Sequence, residues 1–284
     1  MTYTDPGAPE YEFDWQNPNR KTFDFGRVMS NAFTSLLAFP KPLLIALIVG
    51  LGFTVASAIL MTTQLSEIVT SSSPEEFILE GAYWGWTAAV SLFGLLLTVW
   101  FQLVVIQTSY ASITGTDVPA NTHSLALRLT IPMFVTALIY TIVCYIGTIP
   151  LLIGFIFVWP GWALAGPMMV HENKGIFSSL GAAWTFAKGN KRYIILLLLV
   201  ITLIGVTVYS VALGIGMVLT GVNVMGGDPT AAFNMSLGQQ LIYNGIAGLG
   251  GYVMYALFAA SLTAAYVEIK TINGGTASVG DVFT

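Results

Sequence analysis

Residues Arg192–Gly221 read RYIILLLLVITLIGVTVYSVALGIGMVLTG, and after Arg192 this stretch holds no Asp, Glu, Lys or Arg. A helix crosses the roughly 30 Å hydrocarbon layer of a bilayer with about 20 mainly apolar residues. The segment is long enough to do so, and it predicts a transmembrane helix over 192–221. Working outward, similar stretches predict spans at 43–63, 84–110, 131–149, 150–170 and 239–268. Six spans result. The third and fourth form one nearly continuous apolar run, and Gly147-Thr148-Ile149-Pro150 is the turn signal within it. We read a tight hairpin there, with a re-entrant pair as the alternative. Pro160 and Pro167 then fall inside the fourth span. Proline removes a backbone donor and kinks a helix, which a surrounding bundle tolerates.

Composition sets the class. Of 284 residues, 55% are hydrophobic and 8% charged, with a mean hydropathy of +0.77. A soluble domain carries about 25% charged residues. A third of that cannot clothe a water-facing surface, so most of the exterior must face lipid. The expected fold is therefore all-α and integral to the membrane. A net charge of −4 gives no basis for nucleic-acid binding. The single cysteine, Cys144, cannot form an internal disulfide, and no CxxC or His/Cys metal spacing is present. The first forty residues are polar, aromatic and acidic, so no cleavable signal peptide is expected. Residues 1–21 read as a cytoplasmic tail, 22–270 as the six-span domain and 271–284 as a second cytoplasmic tail.

Lysine and arginine placement sets the orientation. Arg20, Lys21, Arg27 and Lys41 precede the first span, and Arg128 separates the second and third. Lys174, Lys188, Lys191 and Arg192 separate the fourth and fifth, and Lys270 follows the sixth. All ten basic residues thus fall on one side. The other side carries Glu67, Glu75, Glu76, Glu80 and Asp228. Both termini are expected on the cytoplasmic side, in a bacterial inner membrane.

The cytoplasmic segments resemble one another. Asn, Thr, Gly and Val recur at the same offsets in 19–29 and 273–283, a third copy with one insertion spans 173–181, and a weaker one runs from Asp117 to Leu129. The expected unit is a polar turn, an amphipathic interfacial helix and two spans, used three times. Chance likeness among short Gly/Ser segments is the competing reading. In the first copy Phe25, Val28, Met29, Ala32, Phe33 and Leu36 share one helical face. In the third, Phe177, Leu180, Trp184 and Ala187 do so, and Lys188-Gly189 supplies a last-turn cation and a C-cap. Such helices either lie on the bilayer surface or pack on the end of the bundle.

The stretch from Pro150 to Arg192 carries a resemblance. It includes Ala163-Leu164-Ala165-Gly166-Pro167, His171-Glu172-Asn173-Lys174-Gly175 and the run from Ala182 to Asn190. It resembles the membrane-domain family named after glycerophosphoryl diester phosphodiesterase, and is similar to the YciC-like six-span inner-membrane proteins. The resemblance implies a bacterial inner-membrane bundle. The family's name comes from proteins in which this domain is fused to a catalytic barrel; no barrel is present here, so the phosphodiesterase activity does not carry over.

A search for chemistry returns little. Hydrolysis of that type needs carboxylates and histidines gathered round a metal, and the chain has only His123 and His171. His171-Glu172 could be half a metal site, but adjacent residues rarely converge on one ion. Glu75, Glu76 and Glu80 could bind a cation or form a solvated acidic loop. No cofactor, metal or catalytic residue is assigned, and no enzyme is expected. The spans hold almost no ionisable groups, whereas ion pathways usually place some there. Glu268 is expected to reach the interface at the end of span six. Gln102, Gln107 and Asn244 are the polar intramembrane candidates, as helix–helix glue or as substrate contacts. Gly248, Ala256, Ala260 and Ala264 recur at multiples of four and predict a ridge for close helix packing. The Gly245–Gly251 string lacks the setting of a nucleotide loop. The expected function is a non-catalytic scaffold or accessory subunit, with lipids and a protein partner or second copy as neighbours. The aromatic tail residues Tyr11, Phe13 and Trp15 suit partner contact. The alternative is a transporter or lipid-handling protein for a neutral substrate.

Overall fold

The computed structural model describes residues 23–38, 40–70, 81–148, 153–221 and 235–272. These form α1 (Phe25–Leu37), α2 (Lys41–Thr70), α3 (Gly81–Thr114), α4 (Thr122–Thr148), α5 (Ile153–Trp162), α6 (Ala165–His171), α7 (Ile176–Phe186), α8 (Lys191–Thr220) and α9 (Leu237–Ile272). Among the described residues there is no strand, and α2, α3, α4, α8 and α9 are long and apolar enough to cross a membrane. Residues 1–21 of the N-terminal tail, the acidic residues Glu75, Glu76, Glu80 and Asp228, and the 273–283 copy lie outside the described residues, whereas the first two residues of the expected C-terminal tail, 271–272, end α9.

The segment expected as the fourth span is divided. The chain turns at Ala163-Leu164, between α5 and α6. At 1.5 Å per residue the two pieces are about 15 and 10 Å long, and neither alone crosses the hydrocarbon layer. Proline placement explains the break. Pro167 sits in the first turn of α6, where its missing N–H is not required. It therefore has no bond to offer the carbonyl of Ala163, and the ladder stops there. Pro132, inside α4, leaves no break; the Thr136 hydroxyl donates to its carbonyl at 2.9 Å. The third span also begins earlier than expected, because α4 starts at Thr122, whose hydroxyl donates to the Pro119 carbonyl at 2.6 Å.

Helix α9 is the hub. It packs most extensively on α8, and also on α3, α1 and α2. In lipid, burying more carbon does not draw helices together; close backbone approach does, and small residues permit it. A β-carbon built on Gly250 of α9 would stand 2.5 Å from the Ala212 β-carbon of α8, and one on Gly50 of α2 would stand 2.5 Å from the Tyr252 hydroxyl. Tyr252 in turn meets Phe101 of α3 edge to face at 4.9 Å. Large aliphatics point the other way: Ile48, Leu196, Leu199 and Leu203 are among the exposed ones. Apolar outside and small-residue contacts inside is the inversion that a lipid solvent produces.

Two stretches share a plan. A short helix of 13 residues precedes helices of 30 and 34, and one of 11 precedes helices of 30 and 36. Helix α1 packs on α9 and α3 through Val28 and Ala32, leaving Phe33 and Leu37 exposed. In α7 the inward face is Ser179, Leu180, Ala183 and Ala187. Of the expected apolar face, Leu180 and Ala187 turn inward, while Phe177 and Trp184 are exposed. Gly189 adopts φ +91°, the left-handed turn expected after Lys188.

Candidate functional site

The ion pairs among the described residues gather at one end, where α1, the α6–α7 loop and the last turns of α9 meet. Asp24 caps α1 by accepting from the Arg27 backbone N–H at 3.0 Å. Its own backbone N–H donates to Glu268 Oε1 at 3.2 Å. Arg27 holds Asp24 at 2.9 Å and reaches Glu268 Oε2 at 3.9 Å. The Arg27 backbone and guanidinium hold the Asp24 carboxyl below its ordinary pKa. The Glu268 side chain is only 5% exposed, covered by the start of α1. A buried carboxylate needs paired donors, and the start of α1 provides them.

The loop after α6 is tied to the same helix. The Tyr266 hydroxyl donates to Glu172 at 2.9 Å, and Lys174 pairs with Glu172 at 2.6 Å. Asn173 between them takes φ 49°, an αL position that Asn tolerates. His171 stacks on Tyr110 of α3 with ring centres 3.8 Å apart, and lies 6.1 Å from Tyr266. Burial is the main cause of a His171 pKa pushed down to about 3; the Lys270 charge adds to it, and a hydrogen bond from the ring to the Ile106 backbone carbonyl opposes it. An imidazole so weakly basic is neutral at pH 7 and poorly matched to proton transfer. The adjacent residues diverge: His171 packs between aromatic rings while Glu172 pairs with Lys174 and Tyr266. Among the described residues no three of His, Cys, Asp or Glu gather where an ion could sit. His123 packs against Trp100 at 5.5 Å between ring centres.

The intramembrane polar candidates do not converge. Gln107 is buried, and its amide donates to the Thr122 carbonyl at 3.5 Å, joining α3 to the start of α4. Asn244 donates to the Gln240 carbonyl of its own helix at 2.9 Å. Gln102 lines a crevice of about 260 Å³ with Ile106, Met133, Pro167, Tyr255 and Phe258. The crevice lies where the α5–α6 break leaves α4 and α9 apart. On the ridge, Ala256, Ala260 and Ala264 are buried, and Gly248 approaches Leu51 and Thr54 of α2. The ridge is thus used within the fold.

The sequence reading missed Tyr110, Tyr266 and the buried role of Glu268. A signal for Glu268 existed, since an acid in the last turns of an otherwise uncharged span requires a partner. The tyrosines carried none. No family model, no curated protein and no solved structure matches the chain.

Proposed function

We propose that this chain is a non-catalytic scaffold or accessory subunit of a membrane assembly. The observation that carries the reading is the outer stripe of α4. Leu127, Ile131, Leu138 and Ile142 recur at 4, 11 and 15 positions and are 48–66% exposed, on a helix at the edge of the bundle. The end network fixes α1, α9 and the α6–α7 loop as one body, which suits a docking element better than an alternating gate. In this reading α5 and α6 together complete a sixth, broken crossing. The ten basic residues then face the cytoplasm of a bacterial inner membrane, with both termini inside. The two helix triplets are copies of one unit, and the likeness to the glycerophosphoryl diester phosphodiesterase membrane-domain family and to YciC-like proteins concerns the bundle alone.

A photocrosslinking residue at Ile131, in native membranes, tests this. A discrete protein adduct is expected there and not from the lipid-facing Val206 of α8. Lipid adducts alone at both positions would remove the scaffold reading. A second reading, handling of a neutral lipid, is favoured by the Gln102 crevice, whose lining is apolar apart from Gln102 and the Tyr255 hydroxyl. Small-ligand sites commonly combine an apolar wall with few polar groups. Loss of a co-purifying neutral lipid on Ala259→Leu, which fills the crevice, would favour it.

A further inference from the structure

Among the described residues, no carboxylate lies within ion-pair distance of Lys188, Lys191 or Arg192. These cations surround the α7–α8 turn, and beside them stands Trp184, 39% exposed. The Lys191 ammonium sits 3.4 Å from the Trp184 ring centre, a cation–π contact. Beneath the ring is Gly161 of α5, where any β-carbon would overlap the indole. Trp184 is thus held between a bare backbone and an ammonium, and it fixes where Lys191 points. One turn-pair earlier on the same stripe of α7, Phe177 is 77% exposed. Aromatics with cations on one outward stripe match the chemistry of the membrane–water boundary.

Depth agrees with this. Helix α8 has 30 residues, so it is about 45 Å long and exceeds the roughly 30 Å hydrocarbon layer. Its first residues, Lys191 and Arg192, therefore lie among headgroups. We infer that the α7–α8 turn is a docking surface for anionic phospholipid headgroups of the leaflet it faces, with Phe177 and Trp184 seated at the acyl boundary and Lys188, Lys191 and Arg192 on the phosphates. The inference rests on α8 crossing the bilayer, a premise checked separately by resistance of the vesicle-reconstituted protein to alkaline carbonate extraction.

The test titrates the full chain, in a neutral detergent, with short-chain phosphatidylglycerol, short-chain phosphatidylcholine or inorganic phosphate, and reads the melting temperature. Phosphatidylglycerol is expected to raise it, and the other two to leave it unchanged. Each cation contributes roughly a fivefold factor near a charged surface. Lys188→Gln should therefore weaken the apparent affinity about fivefold, and the triple change with Lys191→Gln and Arg192→Gln about a hundredfold. Gly161→Ala should weaken it about fivefold with every charge kept, because Trp184 and Lys191 are displaced. A wild-type response in the triple variant, or an equal response to phosphatidylcholine or to phosphate, overturns the inference. Should the triple variant fail to fold, Lys188→Gln decides alone: unchanged affinity there overturns it.

Discussion

Glu268, in the last turns of α9, accepts a hydrogen bond from the backbone N–H of Asp24, 244 positions earlier in the chain. The contact joins the start of the described chain to its end and gives a buried carboxylate two uses, since Arg27 also faces it. Glu268→Ala leaves the Asp24 N–H unpaired and should cost about 1–3 kcal/mol. Glu268→Gln keeps an accepting oxygen and should cost less. Thermal unfolding in detergent compares the two; equal losses would show that charge rather than the backbone bond dominates.

The packing of His171 makes a pH prediction. Its folded pKa of about 3 lies below the ordinary value of 6.5. The unfolded chain therefore binds a proton that the folded chain refuses. The contribution of His171 to stability is constant above about pH 6.5 and falls as pH drops toward 3, with a limiting slope of about 1.4 kcal/mol per pH unit. The imidazole faces Tyr110 and Tyr266 and feels the Lys270 charge, while Glu172 is turned to Tyr266 and Lys174. His171→Phe should keep the stack and flatten the melting temperature between pH 6.5 and 5. A wild-type slope in that variant would place the proton elsewhere.

Glycine spacing makes a packing prediction. Gly50→Ala puts a methyl into the Tyr252 ring, whereas the neighbouring Gly52 has nothing within 4 Å. Gly50→Ala should destabilise by about 1–3 kcal/mol, and Gly52→Ala should be near neutral. Tyr252→Leu should lower the cost of Gly50→Ala in a double-mutant cycle. Additive losses would mean that the two helices separate freely at this point.

The ridge on α9 can be probed in the same way. Ala260 is wholly buried, and Ala260→Leu should overfill its contact at about 1–3 kcal/mol. Ala259 borders the Gln102 crevice, so Ala259→Leu has room and should be milder. Melting temperatures in one detergent compare them, and the reverse order would contradict the packing described.

Much of the architecture was legible because lipid imposes a simple rule on sequence. Runs such as Ile194–Gly221 need only length and apolarity to be recognised, and the five long helices follow it. The divided segment 150–170 was harder. Pro160 and Pro167 were visible in it, but which proline ends a helix depends on where the first turn of α6 begins. The site was less legible still. His171 and Glu172 drew notice as neighbours, yet Tyr110, Tyr266 and Asp24 come to them from distant helices, and no local pattern encodes that meeting. Periodicity alone grouped Trp184 with Leu180 and Ala187, yet those two are buried and Trp184 is exposed. The ring packs on the bare backbone of Gly161, a contact between helices that no local pattern encodes.

The one-sided distribution of basic residues underlies the whole account, and cysteine labelling in intact cells tests it most directly. In a Cys144→Ala background, single cysteines at Ser72, Asp228 and Ser178 are treated with a membrane-impermeant thiol reagent, and a permeant one serves as control. Labelling at Ser72 and Asp228 with silence at Ser178 is the predicted result. Labelling at Ser178 with silence at Ser72 and Asp228 would invert the topology and contradict the account.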